Sequence, residues 1–327
     1  MSEEQVYAGI DIGGTSIKYG LVDTTGKILH KEQRPTLAEK GPMPLMHLIT
    51  NIAERLLYYA AEEDFSVKYL GVGSPGAIDN RTGRVVGPSP NIEGWQGMEI
   101  GETLKDRLNL PVMVDNDVNA MSLAELRFGA ASGARSAVCV TVGTGVGGAV
   151  IINGRVWHGA NFTAGELGHM TINFDGPKCT CGNYGCIEAY CSSQAIIDRT
   201  KHKVKGGLTP ILEEVLERNL ENLTVKKLFA ALKKGDEVAQ EVILETAKYL
   251  GIGLAGVANL LNPEIIVIGG GITEGGGGFI EAVADEIKKH AFSSAYEKLS
   301  IAKAVLGNDA GFIGAGLLGD VEGFKKG

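Results

Sequence analysis

Between Thr163 and Glu188 the chain places His169, Cys179, Cys181 and Cys186, four side chains of the kind that bind a soft or borderline metal ion. The spacings are Cys-x-Cys and Cys-x4-Cys, and a tetrahedral structural zinc site needs four such ligands. Two carboxylates, Glu166 and Glu188, lie within three residues of a ligand, so a zinc knot would also fix two acidic groups for a polar ligand. A second candidate is Asp115-Asn116-Asp117-Val118-Asn119-Ala120, placed where a strand runs into a helix. Phosphoryl transfer to a hydroxyl needs a carboxylate within about 3 Å to take its proton, and the Asn116-Asp117 pair fits that need. A helix N-cap accounts for Asp115 and Asn119.

Glycine turns form the third group. Asp11 precedes Gly13-Gly14-Thr15, Gly143-Thr144-Gly145 repeats the device at mid-chain, and Gly269-Gly270-Gly271 closes a late apolar run. Such turns can present backbone N–H groups to a phosphate, and an acidic residue at the strand end can hold the water shell of Mg²⁺. Any one of them is also an ordinary glycine hairpin. Three glycines after a strand leave a flat surface on which a base or ribose could lie.

The elements that must position these groups follow from hydrophobic periodicity. Strands are expected at 6–12, 17–22, 27–33, 69–73 and 112–115, with helices at 42–63, 100–108 and 119–128. The stretch from 79 to 97 reads as a loop rich in Pro and Gly. A similar signal restarts at 137–142, crosses the second glycine turn and continues at 149–152, so the two halves look like a duplicated β-turn-β unit. A long helical region from 195 to 261 follows, with 201–207 as a surface loop. A strand at 264–268, a helix at 279–290, a strand at 301–303 and a helix at 310–319 finish the chain. The strand-turn-strand order is not that of a Walker or Rossmann phosphate loop, and no G-x-x-x-x-G-K-[ST] occurs.

Composition narrows the function classes. The 327 residues are comfortable for two domains, and a formal charge of −8 argues against a nucleic-acid or anionic-membrane partner held by bulk attraction. Glycine, 47 of 327, is about twice its usual share and falls in clusters. No apolar run is long enough to span a bilayer and no signal peptide is read, so a reducing, cytoplasmic setting is expected. Cys139 and Cys191 are expected to be buried apolar residues.

Taken together, the three glycine motifs resemble the two phosphate motifs and the adenosine motif of the actin-like ATPase superfamily. That resemblance implies an α/β chain with two RNase H-like domains and ATP in an interdomain cleft. The expected division is 1–121 plus 308–327 for a smaller N-terminal domain, and 122–307 for a larger one carrying the zinc segment. The pattern G-E-x-G-H…C-x-C-G-x-x-G-C-x-E, with A-G-I-D-I-G-G-T and D-N-D-x-N-A, resembles the ROK family over nearly the whole chain.

The family likeness implies an ATP-dependent kinase acting on the 6-hydroxyl of a hexose, with glucose as the first expectation. N-acetylmannosamine, N-acetylglucosamine, fructose and allose are alternatives, and a non-catalytic sugar-sensing regulator is the alternative of another class. Regulators of the family carry an N-terminal helix-turn-helix domain, whereas the first motif here starts at Asp11. Asp117 would be the general base. Gly73, Asn91, Asn116, Glu166, His169 and Glu188 would line the sugar pocket, with Gly73 acting through its backbone. Asp11, Gly13, Gly14, Thr15, Gly143, Thr144, Gly145, Gly270 and Gly271 would hold Mg·ATP. If one ring nitrogen of His169 binds zinc, the other becomes an oriented donor toward a hydroxyl. Ser16 stands where family members often have Lys, with Lys18 two residues on. A dimer or tetramer is the expected assembly.

Overall fold

The computed structural model describes residues 4–89, 92–276 and 278–320. It is a mixed α/β structure whose chain divides into two compact units, 1–135 with 149–165 and 305–327, and 136–148 with 166–304. The expected boundaries at 121/122 and 307/308 stand against 135/136 and 304/305 here, with 149–165 also counted to the first unit.

The first unit opens with β1 (Glu4–Ile12), β2 (Ser16–Asp23) and β3 (Ile28–Pro35), joined as an antiparallel meander. Helix α1 (Pro42–Glu62) follows, with Pro at its first turn where a missing N–H costs nothing. Its residues Leu45, Ile49, Ile52 and Leu56 fall on one face and are fully or nearly fully buried. Each contributes about 2 kcal/mol relative to exposure. Then come β4 (Phe65–Ser74), a small hairpin of β5 (Ile78–Asp79) and β6 (Arg84–Val85), α2 (Ile100–Leu108), β7 (Val112–Asn116) and α3 (Asp117–Phe128). The five long strands make one sheet in the order β3-β2-β1-β4-β7. The hairpin replaces part of the loop expected at 79–97. Its two-residue strands are too short to show alternation. Trp95, in the same stretch, is fully buried and donates from Nε1 to Ser74 Oγ at 2.9 Å.

Strands β8 (Ala137–Val142), β9 (Val146–Ile152) and β10 (Arg155–Val156) repeat the opening pattern. After the cysteine segment come α4 (Glu188–Cys191), α5 (Ser193–Lys203), α6 (Pro210–Val215), α7 (Val225–Lys233) and α8 (Glu237–Leu261). Helix α8 is capped by Asp236, which accepts from Ala239 N–H at 2.8 Å, and ends at Asn262 in the left-handed region, φ 42°. Strand β11 (Ile265–Gly269), α9 (Phe279–His290), α10 (Ser293–Tyr296), β12 (Ser300–Lys303) and α11 (Ala310–Leu317) complete the chain.

The second sheet has the order β10-β9-β8-β11-β12. Numbered within its own half, that is third, second, first, fourth, fifth, as in the first sheet. The duplicated unit expected from the glycine turns is therefore a topological repeat. Cys139 and Cys191 are fully buried, as expected of small apolar residues.

Within the first unit, α11 lies directly on strand backbone. A Cβ on Gly9 would strike the Phe312 carbonyl, and one on Gly71 the Ala315 carbonyl. On its other side, Gly314 meets the Ala120 carbonyl of α3. No larger residue at these positions would allow this approach, and it sets the depth of α3 and its N-terminal turn.

Candidate active site

In the first unit, the carboxyl ends of three parallel strands line up. Asp11 pairs in register with Gly73, and Gly73 with Asp115, so one row crosses β1, β4 and β7. A Cβ built on Gly73 would lie 3.5 Å from Asp117 Cα and 3.6 Å from Asp11 Oδ1. Gly73 is thus the floor between two carboxylate residues, and strand ends of this kind are where open α/β sheets bind ligands.

The turn from β7 into α3 is held by side chains. Asn116, not Asp115 or Asn119, is the N-cap of α3. Its Oδ1 accepts from Val118 N–H at 2.9 Å and Asn119 N–H at 3.2 Å. This corrects the expectation that an N-cap accounts for Asp115 and Asn119: the cap needs an acceptor one residue before the first helical residue, and only Asn116 stands there. Asn116 Nδ2 donates to Gly76 O at 3.2 Å, which leaves its second amide hydrogen for a ligand. Asp117 occupies the first helical position, and its Oδ1 accepts from Val118 N–H at 3.0 Å.

Burial raises the Asp117 pKa to about 7, and the charge of Asp11 adds to the effect. Burial likewise lifts Asp11 to about 6, opposed by Lys18. A carboxylate whose proton affinity lies near neutrality is suited to take a proton and return it. Gly311, in the first turn of α11, is in contact with the Asp11 carboxylate, where a side chain would collide. The Lys18 ammonium donates to Asn308 O at 3.0 Å. The first glycine turn is closed by Gly13 N–H to Ser16 O at 3.1 Å, and Thr36 Oγ1 binds Gly13 O at 2.6 Å, leaving Thr15 exposed.

In the second unit, Gly143 N–H donates to Gly145 O at 2.9 Å, and Gly143 O accepts from both N–H and Oγ of Ser193 at 2.8 Å. Thr144 lies between these two bonded glycines. Gly270, at φ 89°, is pressed against the Val142 backbone, while nothing lies within 4 Å of a Cβ on Gly271. The second glycine turn and the late glycine run therefore meet, with an open, side-chain-free face at Gly271.

The cysteine segment also belongs to this unit. Ligand atoms of His169, Cys179, Cys181 and Cys186 all lie within 4.8 Å of one another. Cys181 Sγ and Cys186 Sγ are 3.8 Å apart, and Cys179 Sγ is 3.6 Å from His169 Nδ1. A tetrahedron with Zn–S of about 2.3 Å and Zn–N of about 2.0 Å has S–S edges of about 3.8 Å and S–N edges of about 3.5 Å. The four residues fit that ion. Because Nδ1 faces the sulfurs, Nε2 faces away, 3.9 Å from Glu166 Oε2.

Glu188, at the start of α4, accepts from Val146 N–H at 2.9 Å and from Thr180 Oγ1 at 2.8 Å, so its carboxylate is fixed from two sides. Its Oε2 would be 2.6 Å from a Cβ on Gly145, which ties the glycine turn to this carboxylate.

Of the expected site residues, Asp11, Gly13, Gly14, Thr15, Gly73, Asn116 and Asp117 fall in the first unit. Gly143, Thr144, Gly145, Glu166, His169, Cys179, Cys181, Cys186, Glu188, Gly270 and Gly271 fall in the second. Asn91 lies outside the described residues. Sequence reasoning missed His158, whose Nε2 is 2.6 Å from Asp115 Oδ2, and Glu125, a fully buried carboxylate in α3. A single His in Trp-His-Gly carries no spacing signal, and only burial sets Glu125 apart from a surface acid.

Comparison with known proteins agrees with this geometry. Residues 7–320 match the ROK family. The chain is 35% identical over 316 residues to a glucokinase of Halalkalibacterium halodurans, covering 95% of this chain and 94% of that protein. It is 31% identical to a xylose repressor of Caldicellulosiruptor bescii, covering 94% of this chain and 76% of the repressor. Among solved structures, a ROK family glucokinase from Streptomyces griseus in complex with glucose and AMPPNP superposes with a TM-score of 0.83 at 30% identity. That match covers 96% of this chain and 98% of the other. The fold is the two-domain actin-like ATPase type that the motifs led us to expect.

Proposed function

The chain belongs to the ROK family, and from that premise we propose that it is a sugar kinase transferring the γ-phosphoryl group of ATP to the 6-hydroxyl of a hexose, with glucose as the first candidate. The observation that carries this reading is Asp117: a carboxylate at the first position of α3, beside Asp11, with a pKa of about 7. A group of that affinity takes the hydroxyl proton as oxygen closes on phosphorus. The likeness to glucokinases over nearly their whole length supports the same reading.

The remaining roles follow from donor and acceptor chemistry. Sugar hydroxyls both give and accept hydrogen bonds, so the free amide hydrogen of Asn116, the carboxylates of Glu166 and Glu188, and Nε2–H of His169 are matched hosts. The glycine turns at 13–14 and 143–145 offer backbone N–H groups to phosphate oxygens, and Gly270-Gly271 offers a flat face to the base. Mg²⁺, when bound with ATP, offsets charge on the transferring group, and Asp11 is the carboxylate suited to hold its water shell. His169, Cys179, Cys181 and Cys186 would hold zinc as a scaffold, which fixes the His169 ring and leaves Nε2 as the donor.

The test is ADP release in the presence of Mg·ATP across glucose, fructose, allose, N-acetylglucosamine and N-acetylmannosamine, with wild type and Asp117→Ala. Turnover on at least one sugar is expected, lost in Asp117→Ala while calorimetric sugar binding survives. Turnover retained in Asp117→Ala would remove Asp117 as the base. Sugar binding by wild type without ADP release on any sugar would instead make the chain a sensor, in line with its repressor relatives.

A further inference from the structure

Asp115 is the last residue but one of β7, directly before the Asn116-Asp117 pair, and its side chain is 6% exposed. Both its oxygens are engaged. Oδ1 accepts from Asn116 N–H at 2.7 Å and from Asn119 Nδ2 at 2.9 Å. Oδ2 is 2.6 Å from His158 Nε2, which must carry the hydrogen because a carboxylate can only accept. Burial works against charge on His158, yet the hydrogen bond and charge of Asp115 prevail and its pKa is raised. Short charge-assisted bonds of this kind are the strong ones.

His158 itself begins a built segment. Its carbonyl accepts from Ala164 N–H at 3.1 Å, closing the stretch 158–164, and a Cβ built on Gly159, at φ 72°, would lie 3.1 Å from Ala164 Cβ. Inside this stretch Phe162 stands in the left-handed region, φ 61°, with the Arg81 guanidinium 4.8 Å from its ring centre. Arg81 is held in turn by Asp79 through two bonds of 2.9 Å. A non-glycine residue kept at such a φ costs of order 1 kcal/mol and persists only where its surroundings over-determine it. His158 therefore donates to Asp115 from a fixed segment.

We infer that His158 is a positioning residue for the phosphoryl transfer proposed above: by donating to Asp115 it locks the β7–α3 turn and hence the place of Asn116 and Asp117. The inference rests on the kinase reading. Without the imidazole, Oδ2 is an unpaired buried oxygen. The carboxylate then rotates or takes a proton, and either change loosens its hold on Asn116 N–H and Asn119. A displacement of the base by about 1 Å is enough to cost on the order of a hundredfold in rate.

The experiment compares wild type, His158→Leu and His158→Gln with Mg·ATP and the best acceptor of the sugar panel, reading kcat, both KM values and the thermal midpoint. Leu removes the donor. Gln keeps an amide N–H near the same place. The expected result is a loss of kcat of roughly tenfold to a hundredfold in His158→Leu, with KM for ATP within about twofold, and a recovery by Gln to within about threefold of wild type. Equal losses in Leu and Gln that track the thermal midpoint would reduce His158 to a structural role, and kcat within about twofold in His158→Leu would overturn the inference outright. Should His158→Leu fail to fold, Asp115→Asn carries the same test: the same kcat loss is expected, and its absence is equally fatal. Wild type inactive on every sugar would remove the kinase reading, and the inference with it. Wild type active with an unaffected His158→Leu removes the inference alone.

Discussion

Replacing Asp117 with Asn should make the folded chain more stable at high pH and not at low pH. In the folded state burial and the Asp11 charge lift the Asp117 pKa from 3.8 to about 7. Between those values the folded chain holds a proton that the unfolded chain has released, so stability falls as pH rises across this window and the loss is complete above about 7. About 1.4 kcal/mol per unit sets an upper bound of about 4 kcal/mol. Asp117 is partly exposed, and solvent screening brings the expected figure down to about 1–3 kcal/mol. Asn contributes its own offset, but that offset does not depend on pH. The quantity to measure is therefore the stability difference between variant and wild type by urea unfolding at pH 5, 6, 7 and 8. It should grow in favour of Asn by about 1–2 kcal/mol from pH 5 to pH 8. A flat difference, or one that grows in favour of wild type, would refute the account of Asp117 as a carboxylate held against its charge. The same affinity fixes the acid limb of catalysis: kcat/KM should fall about tenfold per unit below pH about 6 and level off above about 8.

Three further outcomes follow from single contacts. Cys181→Ser should lower the zinc content of the purified chain, measured by plasma emission, from about one ion to near none, with a lower melting temperature; a fully stable, metal-free wild type would contradict the fit of the four ligands. Gly145→Ala puts a methyl 2.6 Å from Glu188 Oε2, so the carboxylate must leave Val146 N–H, and sugar KM should rise roughly tenfold for one hydrogen bond of that type; an unchanged KM would separate Glu188 from sugar binding. Glu125→Gln should cost roughly 2–4 kcal/mol in denaturant unfolding. The buried carboxylate accepts from Ala130 N–H at 2.8 Å, Val305 N–H at 3.0 Å and Leu306 N–H at 2.9 Å, and an amide would turn a donor toward these donors. A loss below about 0.5 kcal/mol would show these bonds to be idle.

How much of this was legible depends on the range over which each feature is encoded. Helices 100–108 and 279–290 and strand 137–142 have the same limits in sequence and structure, because periodicity and flanking glycine or polar residues mark both ends locally. The glycine turns and the cysteine spacings were equally local. The N-cap of α3 was not: Asp115, Asn116 and Asn119 are all good caps by type, and only the observed start of α3 at Asp117 selects Asn116, while the Asp115 carboxylate is engaged with His158, 43 residues away. The return of 149–165 and 305–320 to the first unit is likewise invisible to any window. It rests on contacts such as Glu125 with Val305, which appear only once the helix face is known to be buried. Spacing could say that one nitrogen of His169 would bind a metal. Only packing against Cys179 says that it is Nδ1.

The two glycine turns look alike in sequence, but they are not equivalent chemically. Thr141-Val142-Gly143 stands in the second half where Asp11-Ile12-Gly13 stands in the first, so the acidic strand end is present only once. The first turn therefore sits next to two carboxylates that resist ionising together, a setting for proton transfer and for a cation beside phosphate. The second turn lacks that charge at its strand end. Its carboxylate is Glu188, already bonded to Val146 N–H and Thr180 Oγ1 and set beside the four metal-type ligands. On the proposed kinase reading, the duplicated unit carries two different chemistries, reactive in the first half and positional in the second. A graft of Asp at 141 should consequently confer no second base: without α3 to supply an Asp117, the added carboxylate would remain a solvated acid at a phosphate turn, and it should weaken ATP binding by charge repulsion while leaving the pH profile of turnover where it is. A shifted acid limb in Thr141→Asp would show that the strand-end acid alone, and not the Asp11–Asp117 pair, sets the proton affinity of the site.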